Sequence, residues 1–196
     1  MSKTRVVLVR HGESIVTVRR VLGGPRTCVG LSDLGKLQAA KLRDRLASTK
    51  EIDADVLISS AYPRALQTAD IIKDAFGFFH VVVDPNFGEH DPGPECDGLT
   101  FDEFVRRHGR PDWGGDPHAV VFPGGETIAQ FHDRVHQILD QITRTMDNAA
   151  QRLREGEPPA LDEWTSLLRQ GYTTLEQHAV HAGQPAPAKA SEATFF

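Results

Sequence analysis

Apolar residues fall along the chain as short runs alternating with longer stripes. Val6-Val7-Leu8-Val9 is a β-branched-rich run that stops at Arg10-His11-Gly12, the pattern of a buried parallel strand entering a turn. Ser32 offers an N-cap ahead of Ala39, Leu42 and Leu46, whose three-and-four spacing predicts a helix with one buried face. Val56-Leu57-Ile58, closed by Ser59-Ser60, predicts a second buried strand. Pro63 suits the first turn of the next helix, where Ala65, Ala69, Ile72 and Phe76 repeat at the spacing of a helix packed on a sheet. His80-Val81-Val82-Val83 predicts a third strand, ended by Asp84-Pro85, and Phe101, Phe104, Val105 and His108 mark a short helix. After Pro123-Gly124-Gly125-Glu126 a long helix carries Ile128, Phe131, Val135, Ile138 and Ile142 on one stripe.

Such alternation predicts an α/β fold with a mainly parallel sheet covered by helices on both faces, and ligands at the C-terminal ends of the strands. The pattern changes at Asn148. From Ala149 to Phe196 the only β-branched aliphatic residue is Val180, and no apolar run could form a buried strand. The expected organisation is therefore an α/β domain over 1–148 and a weakly helical segment over 149–182, with helices at 161–170 and 173–181. A disordered tail over 183–196, with Pro185 and Pro187, completes it.

A chain of 196 residues with 39% hydrophobic and 25% charged residues has room for one such domain. Its formal net charge of −5, with no concentrated run of Lys and Arg, argues against a nucleic-acid or anionic-membrane partner. Cys28 and Cys96 lie far apart and outside any C-x-x-C spacing, so neither a disulfide framework nor a zinc ribbon is indicated. The four apolar residues from Val6 to Val9 are too few for a signal-peptide core or a membrane span. A cytoplasmic protein is expected.

The first chemistry-bearing segment is Arg10-His11-Gly12-Glu13, just past the first apolar run, where a tight loop can hold an anion. A neutral imidazole attacks phosphorus near neutral pH without a base to activate it, whereas a serine needs one. Arg10 can fork two hydrogen bonds to phosphoryl oxygens, and Gly12 lets the backbone approach closely. Taken alone, the segment reads more readily as a solvated Arg-His pair in a turn.

Further segments occur in a fixed order: Gly30-Leu31-Ser32 with Gly35 and Gln38-Ala39, then Ser59-Ser60-Ala61-Tyr62-Pro63-Arg64-Ala65 with Gln67-Thr68-Ala69. Glu89 ahead of Asp97-Gly98-Leu99-Thr100 and Pro123-Gly124-Gly125-Glu126-Thr127 complete the set. Over roughly residues 5 to 145 this series resembles the histidine phosphatase superfamily, which includes phosphoglycerate mutases. The resemblance implies that His11 is the phosphorylated nucleophile and that Arg10 and Arg64 clamp the transferring group. It implies that Glu89 protonates the leaving alkoxide. It also brings Arg20, ahead of Gly23, towards the phosphate. The Asn usual a few residues earlier is absent, since Val16 and Thr17 stand there, and Thr17 is the polar residue assigned to substrate binding with Gly12 and Arg20.

His132 and His136 stand four apart on the long helix, a spacing that can bind zinc. No third ligand follows, and the apolar stripe leaves both at its flanks. No metal and no cofactor are expected. The resemblance also implies a second catalytic His at the end of a Val-rich central strand after the long helix. Nothing here matches it; the nearest candidate, His181-Ala182-Gly183 with His178 before it, follows Glu176-Gln177. The expected function is a metal-independent phosphomonoester hydrolase for a small phosphorylated substrate, impaired by its replaced C-terminal part. A phosphoglycerate mutase-type transferase and a non-catalytic module binding phosphate or a phospho-ligand are the alternatives.

Overall fold

A computed structural model describes residues 5–78 and 80–156 of the chain. Ser14 caps a one-turn helix, α1 (Ile15–Val18), and Ser32 caps α2 (Asp33–Thr49), its hydroxyl accepting the Gly35 N–H at 3.0 Å. Asp33 adds negative charge where the helix dipole favours it. Buried Ala39 and Leu46 turn α2 onto α3 (Pro63–Ile72), as the spacing predicted. Pro63 fills the first turn of α3, which buries Ala69 and Ile72 and tightens into a 3₁₀ turn over Lys73–Phe76.

The central ladder is parallel: β1 (Ile58–Ser59) pairs with β2 (Val82–Val83), Ile58 opposite Val82 and Ser59 opposite Val83. Val82 N–H donates to Leu57 O at 2.9 Å and Asp84 N–H to Ser59 O at 2.8 Å. With α3 packed on β1, the β1-α3-β2 succession bears out the α/β class. After a 3₁₀ turn (Pro85–Phe87) come α4 (Gly93–Cys96) and α5 (Phe101–His108), the latter held by a Thr100–Glu103 capping box. Cys96, Phe104 and Phe122 form a second small core against Leu22, Val105 and Val121. A Thr127–Gln130 capping box starts α6 (Ile128–Arg154), which continues past Asn148 and buries Ala149.

One element differs from expectation. Among the described residues, 6–9 join no ladder, and these four side chains are 43–79% exposed. A β-branched run becomes a strand only where a neighbouring backbone pairs with it. Residues 6–9 and 56–60 instead line a common cavity of about 470 Å³, with Val135, Ile142 and Met146 of α6. The expected helices at 161–170 and 173–181, the tail over 183–196, and His178 and His181 lie outside the described residues. No helix among the described residues is long and apolar enough to cross a membrane.

The loop bearing His11 is built against α2, backbone to backbone. Ser32 N–H donates to Glu13 O at 2.9 Å and Ile15 N–H to Gly30 O at 3.0 Å. A Cβ on Gly12 would overlap Gly35 O, and one on Gly35 would overlap Glu13 O. Because that carbonyl is already tethered by Ser32, it cannot retreat cheaply. Gly35→Ala is therefore expected to lose about 1–3 kcal/mol by overpacking, outweighing the roughly 1 kcal/mol of helix propensity it gains. Urea denaturation measures the difference, and a midpoint equal to or above the parent's would contradict the close approach.

Candidate active site

Side chains from α2 and α3 complete the loop. Glu13 N–H donates to Gln38 Oε1 at 2.8 Å, and Ser32 Oγ donates to Glu13 Oε1 at 2.7 Å. The Thr68 hydroxyl accepts Gly12 N–H at 3.2 Å while donating to Arg64 O at 2.8 Å. Gln67 Oε1 accepts Leu31 N–H at 2.7 Å, which fixes the strip of chain that pairs with Ser14. Gln38, Gln67 and Thr68 thus each accept a backbone N–H of the loop segments from their own helices.

His11 Nδ1 lies 2.7 Å from Gly12 O. A carbonyl oxygen can only accept, so Nδ1 carries the hydrogen and Nε2 presents a lone pair. Arg64 Nε donates to that Nε2 at 3.1 Å, and Arg64 Nη1 donates to Gly23 O at 3.0 Å. The guanidinium also lies over the Tyr62 ring, 4.3 Å from its centroid. Arg64 is only 5% exposed, yet among the described residues no carboxylate forms an ion pair with it. A buried cation satisfied only by neutral acceptors leaves an unmet preference for an anion.

Burial pushes the His11 pKa below its ordinary value. The hydrogen bond to Gly12 opposes this, the Arg64 and Arg10 charges reinforce it, and Glu89 opposes it weakly. The imidazole is accordingly neutral near neutral pH, the form that can act as a nucleophile.

Arg10, His11, Arg64 and Glu89 line one cavity, with Arg10 and Glu89 exposed and Gly12 buried in the loop beside His11. Thr17 and Arg20 do not line it. The Thr17 hydroxyl is engaged with Ser14 Oγ at 2.8 Å, and Arg20 is an exposed residue at φ 54° just after α1. His132 and His136 are exposed on α6, and among the described residues no three metal-ligating side chains converge.

Arg134, between those two histidines, is a residue that sequence reasoning passed over. It forms an ion pair with Glu126 at 2.6 Å, donates to Gly88 O at 3.0 Å and to Asn86 O, and reaches Glu89 O at 3.5 Å. Glu126 also accepts the Asp91 N–H at 2.8 Å. The pair therefore holds the loop that presents Glu89. Its signal in the sequence was Glu126 in the Pro-Gly-Gly-Glu-Thr motif, with an Arg eight residues later in the helix that the motif opens.

A family model described as the histidine phosphatase superfamily (branch 1) matches residues 6–150. The chain belongs to this superfamily. It is 31% identical over 140 residues to phosphoglycerate mutase-like protein 4 of Arabidopsis thaliana, covering 70% of this chain and 59% of that one. It is 33% identical over 135 residues to an acid phosphatase of Mycobacterium tuberculosis, covering 66% and 59%. The alpha-ribazole phosphatase of Shigella flexneri shares the fold, with a TM-score of 0.61 at 20% identity over 71% of this chain and 67% of that structure. The chain thus spans about 59% of the length of the two curated relatives.

Within this histidine phosphatase fold the position of His11 makes a testable statement about pH. Its folded pKa is lowered, so as pH falls the unfolded chain takes up the proton first. Stability is therefore lost between the ordinary histidine pKa and the lower folded value. An NMR titration should place the His11 midpoint below that of an unfolded peptide, and Arg64→Ala should move it upward. A parent midpoint at or above the peptide value would overturn the assignment.

Proposed function

We propose that the chain is a phosphomonoester hydrolase that carries the phosphoryl group on Nε2 of His11. The observation that carries this reading is the His11 Nδ1–H bond to Gly12 O at 2.7 Å, which leaves Nε2 as the nucleophilic atom. The buried Arg64 beside it supports the reading, because a phosphoryl dianion is the counterion it lacks.

In the first step the Nε2 lone pair forms a bond to phosphorus as the ester P–O bond breaks. Arg64 shifts its Nε–H from the imidazole to a phosphoryl oxygen, and Arg10 approaches the same group from the exposed side of the loop. The Glu89 carboxyl gives its proton to the leaving alkoxide. In the second step Glu89 takes a proton from water, the oxygen attacks phosphorus, and the P–N bond breaks to restore His11 and release phosphate. Arg134 and Glu126 are positioning residues, holding the Gly88–Glu89 backbone at the cavity.

The substrate is a small phosphorylated molecule handled in the cytoplasm, with no nucleic-acid partner and no metal or other cofactor. The chemistry resides in 1–148, and 149–182 and 183–196 lie outside it. Turnover is slow, since no residue there matches the second histidine; one missing donor to a developing oxyanion costs about 10²–10³ in rate. Hydrolysis is favoured over mutase-type transfer because, among the described residues, Arg10, Glu89 and residues 6–9 are exposed where they line the cavity.

Labelling with a ³²P-phosphomonoester should give acid-labile protein-bound phosphate that disappears in His11→Ala together with hydrolysis. Arg64→Ala should retain a rate lower by about 10²–10³, and His178→Ala and His181→Ala should match the parent. Label persisting in His11→Ala would move the nucleophile elsewhere. Tight phosphate binding with no covalent label in the parent would instead identify a binding module.

A further inference from the structure

A second cavity, of about 370 Å³, opens beside the site and is lined by Leu22, Trp113, Phe122, Ile128 and Phe131. Glu89 lines both cavities, and Gly23, whose carbonyl accepts from Arg64, lines the second. A phosphomonoester with its phosphorus at His11 and its leaving oxygen at Glu89 therefore has one continuous direction in which to extend its alcohol half. Resting on the hydrolase reading above, we infer that this cavity is the alcohol subsite and that it takes a planar aromatic group on a molecule bearing a single phosphate.

The lining carries both halves of that statement. Phe122 is the hub of the aromatic wall, with Trp113 packed against it edge-on at 5.6 Å and His90 tilted on it at 5.4 Å. Phe131 meets the same His90 ring at 5.8 Å, nearly perpendicular. The orientation of His90 is further fixed because its Nε2 donates to Glu126 O at 2.8 Å, which leaves Nδ1 as an acceptor. Trp113, at 58% exposure, is a large apolar ring still partly uncovered on the cavity wall. A ring sliding between Trp113 and Phe131 would cover it in edge-to-face or offset geometry, and the volume suits one or two fused rings.

The charge pattern excludes the main competing class. Among the described lining residues there is no Lys or Arg, and the one formal charge is the acidic Glu89. Arg134, the nearest cation along α6, is engaged by Glu126 and by the carbonyls of Asn86 and Gly88. A carboxylate or second phosphate on the alcohol half would enter an apolar pocket beside Glu89 with no cation to receive it. His132, exposed at the rim, is the position from which such a cation could be supplied.

Non-hydrolysable phosphonates test the inference without depending on turnover. Calorimetry on the full chain should show benzylphosphonate binding at least roughly tenfold tighter than methylphosphonate, with phosphonoacetate weaker than either. Trp113→Ala should bring the benzyl-to-methyl ratio towards unity while inorganic phosphate still binds as in the parent, which shows that the loss of the ring against Phe122 has not unfolded the site. His132→Arg should raise phosphonoacetate affinity relative to methylphosphonate. If inorganic phosphate and methylphosphonate bind but the benzyl group adds nothing, the aromatic subsite falls and the hydrolase reading stands. If neither phosphate nor any phosphonate binds, both fall together. A benzyl preference that survives Trp113→Ala unchanged would also overturn the assignment, because the ring would then be seated elsewhere.

Discussion

Where the His11 loop crosses the first turn of α2, two backbones lie closer than any side chain would permit, and the rest of the site depends on that contact. Gly12 and Gly35 make it possible, since a Cβ on either would overlap a main-chain carbonyl. Once the backbones touch, Ser32 N–H can reach Glu13 O, Gln38 can reach Glu13 N–H, and Thr68 can receive Gly12 N–H while holding the carbonyl of Arg64. A nucleophile must be held within a few tenths of an ångström to be useful. Here the holding is done by hydrogen bonds with Gln38 of α2, Thr68 of α3 and the α2 N-cap Ser32, so the rigidity of the two helices passes to the loop.

The charge arrangement follows from the same geometry. Arg64 rises from the start of α3 into a buried position, where its acceptors are Gly23 O and the lone pair of His11 Nε2. Two effects act on His11 in the same direction: burial and the Arg64 and Arg10 charges each disfavour an imidazolium. The cation beside His11 therefore also disfavours its protonation. Under the proposed chemistry a phosphoryl dianion would give Arg64 the charged partner it lacks and would free the His11 lone pair for attack.

The sequence was most informative where structure is decided locally. The stripes of α2, α3, α5 and α6 were visible because a helix burying one face writes its period into a dozen neighbouring residues. Residues 6–9 have the composition of a strand, but a strand needs a partner distant in sequence, and composition does not name it. For the same reason β1 was placed slightly early: its paired residues are Ile58 and Ser59, opposite Val82 and Val83, while Leu57 contributes only its carbonyl to the ladder. An ordered set of motifs singled out His11, Arg64 and Glu89, and the structure brings all three to one cavity. Arg134 was not singled out, because its partners include carbonyls 46 and 48 residues away, and a carbonyl is the same in every residue. Thr17 and Arg20 were assigned by their place relative to a motif; Thr17 lies in a one-turn helix, Arg20 follows it at positive φ, and neither lines the cavity that holds His11.

The exposed residues 6–9 bear on chemistry as well as on folding. Periodicity gave α6 an apolar stripe and gave the chain an apolar first run, and both now border the cavity that ends at His11. Because the first run is solvent-exposed along its length, water has access to the same space from which a phosphohistidine would be attacked. A mutase needs the opposite condition, a closed site in which the phosphoryl group meets a second hydroxyl before it meets water. The partition between the two outcomes is thus decided by the walls of the site and not by the catalytic side chains, which are common to both. Among the described residues the wall formed by 6–9 is exposed, so under the proposed chemistry the bound phosphoryl group would be resolved by water even if the alcohol half of the substrate lingered against Trp113 and Phe131.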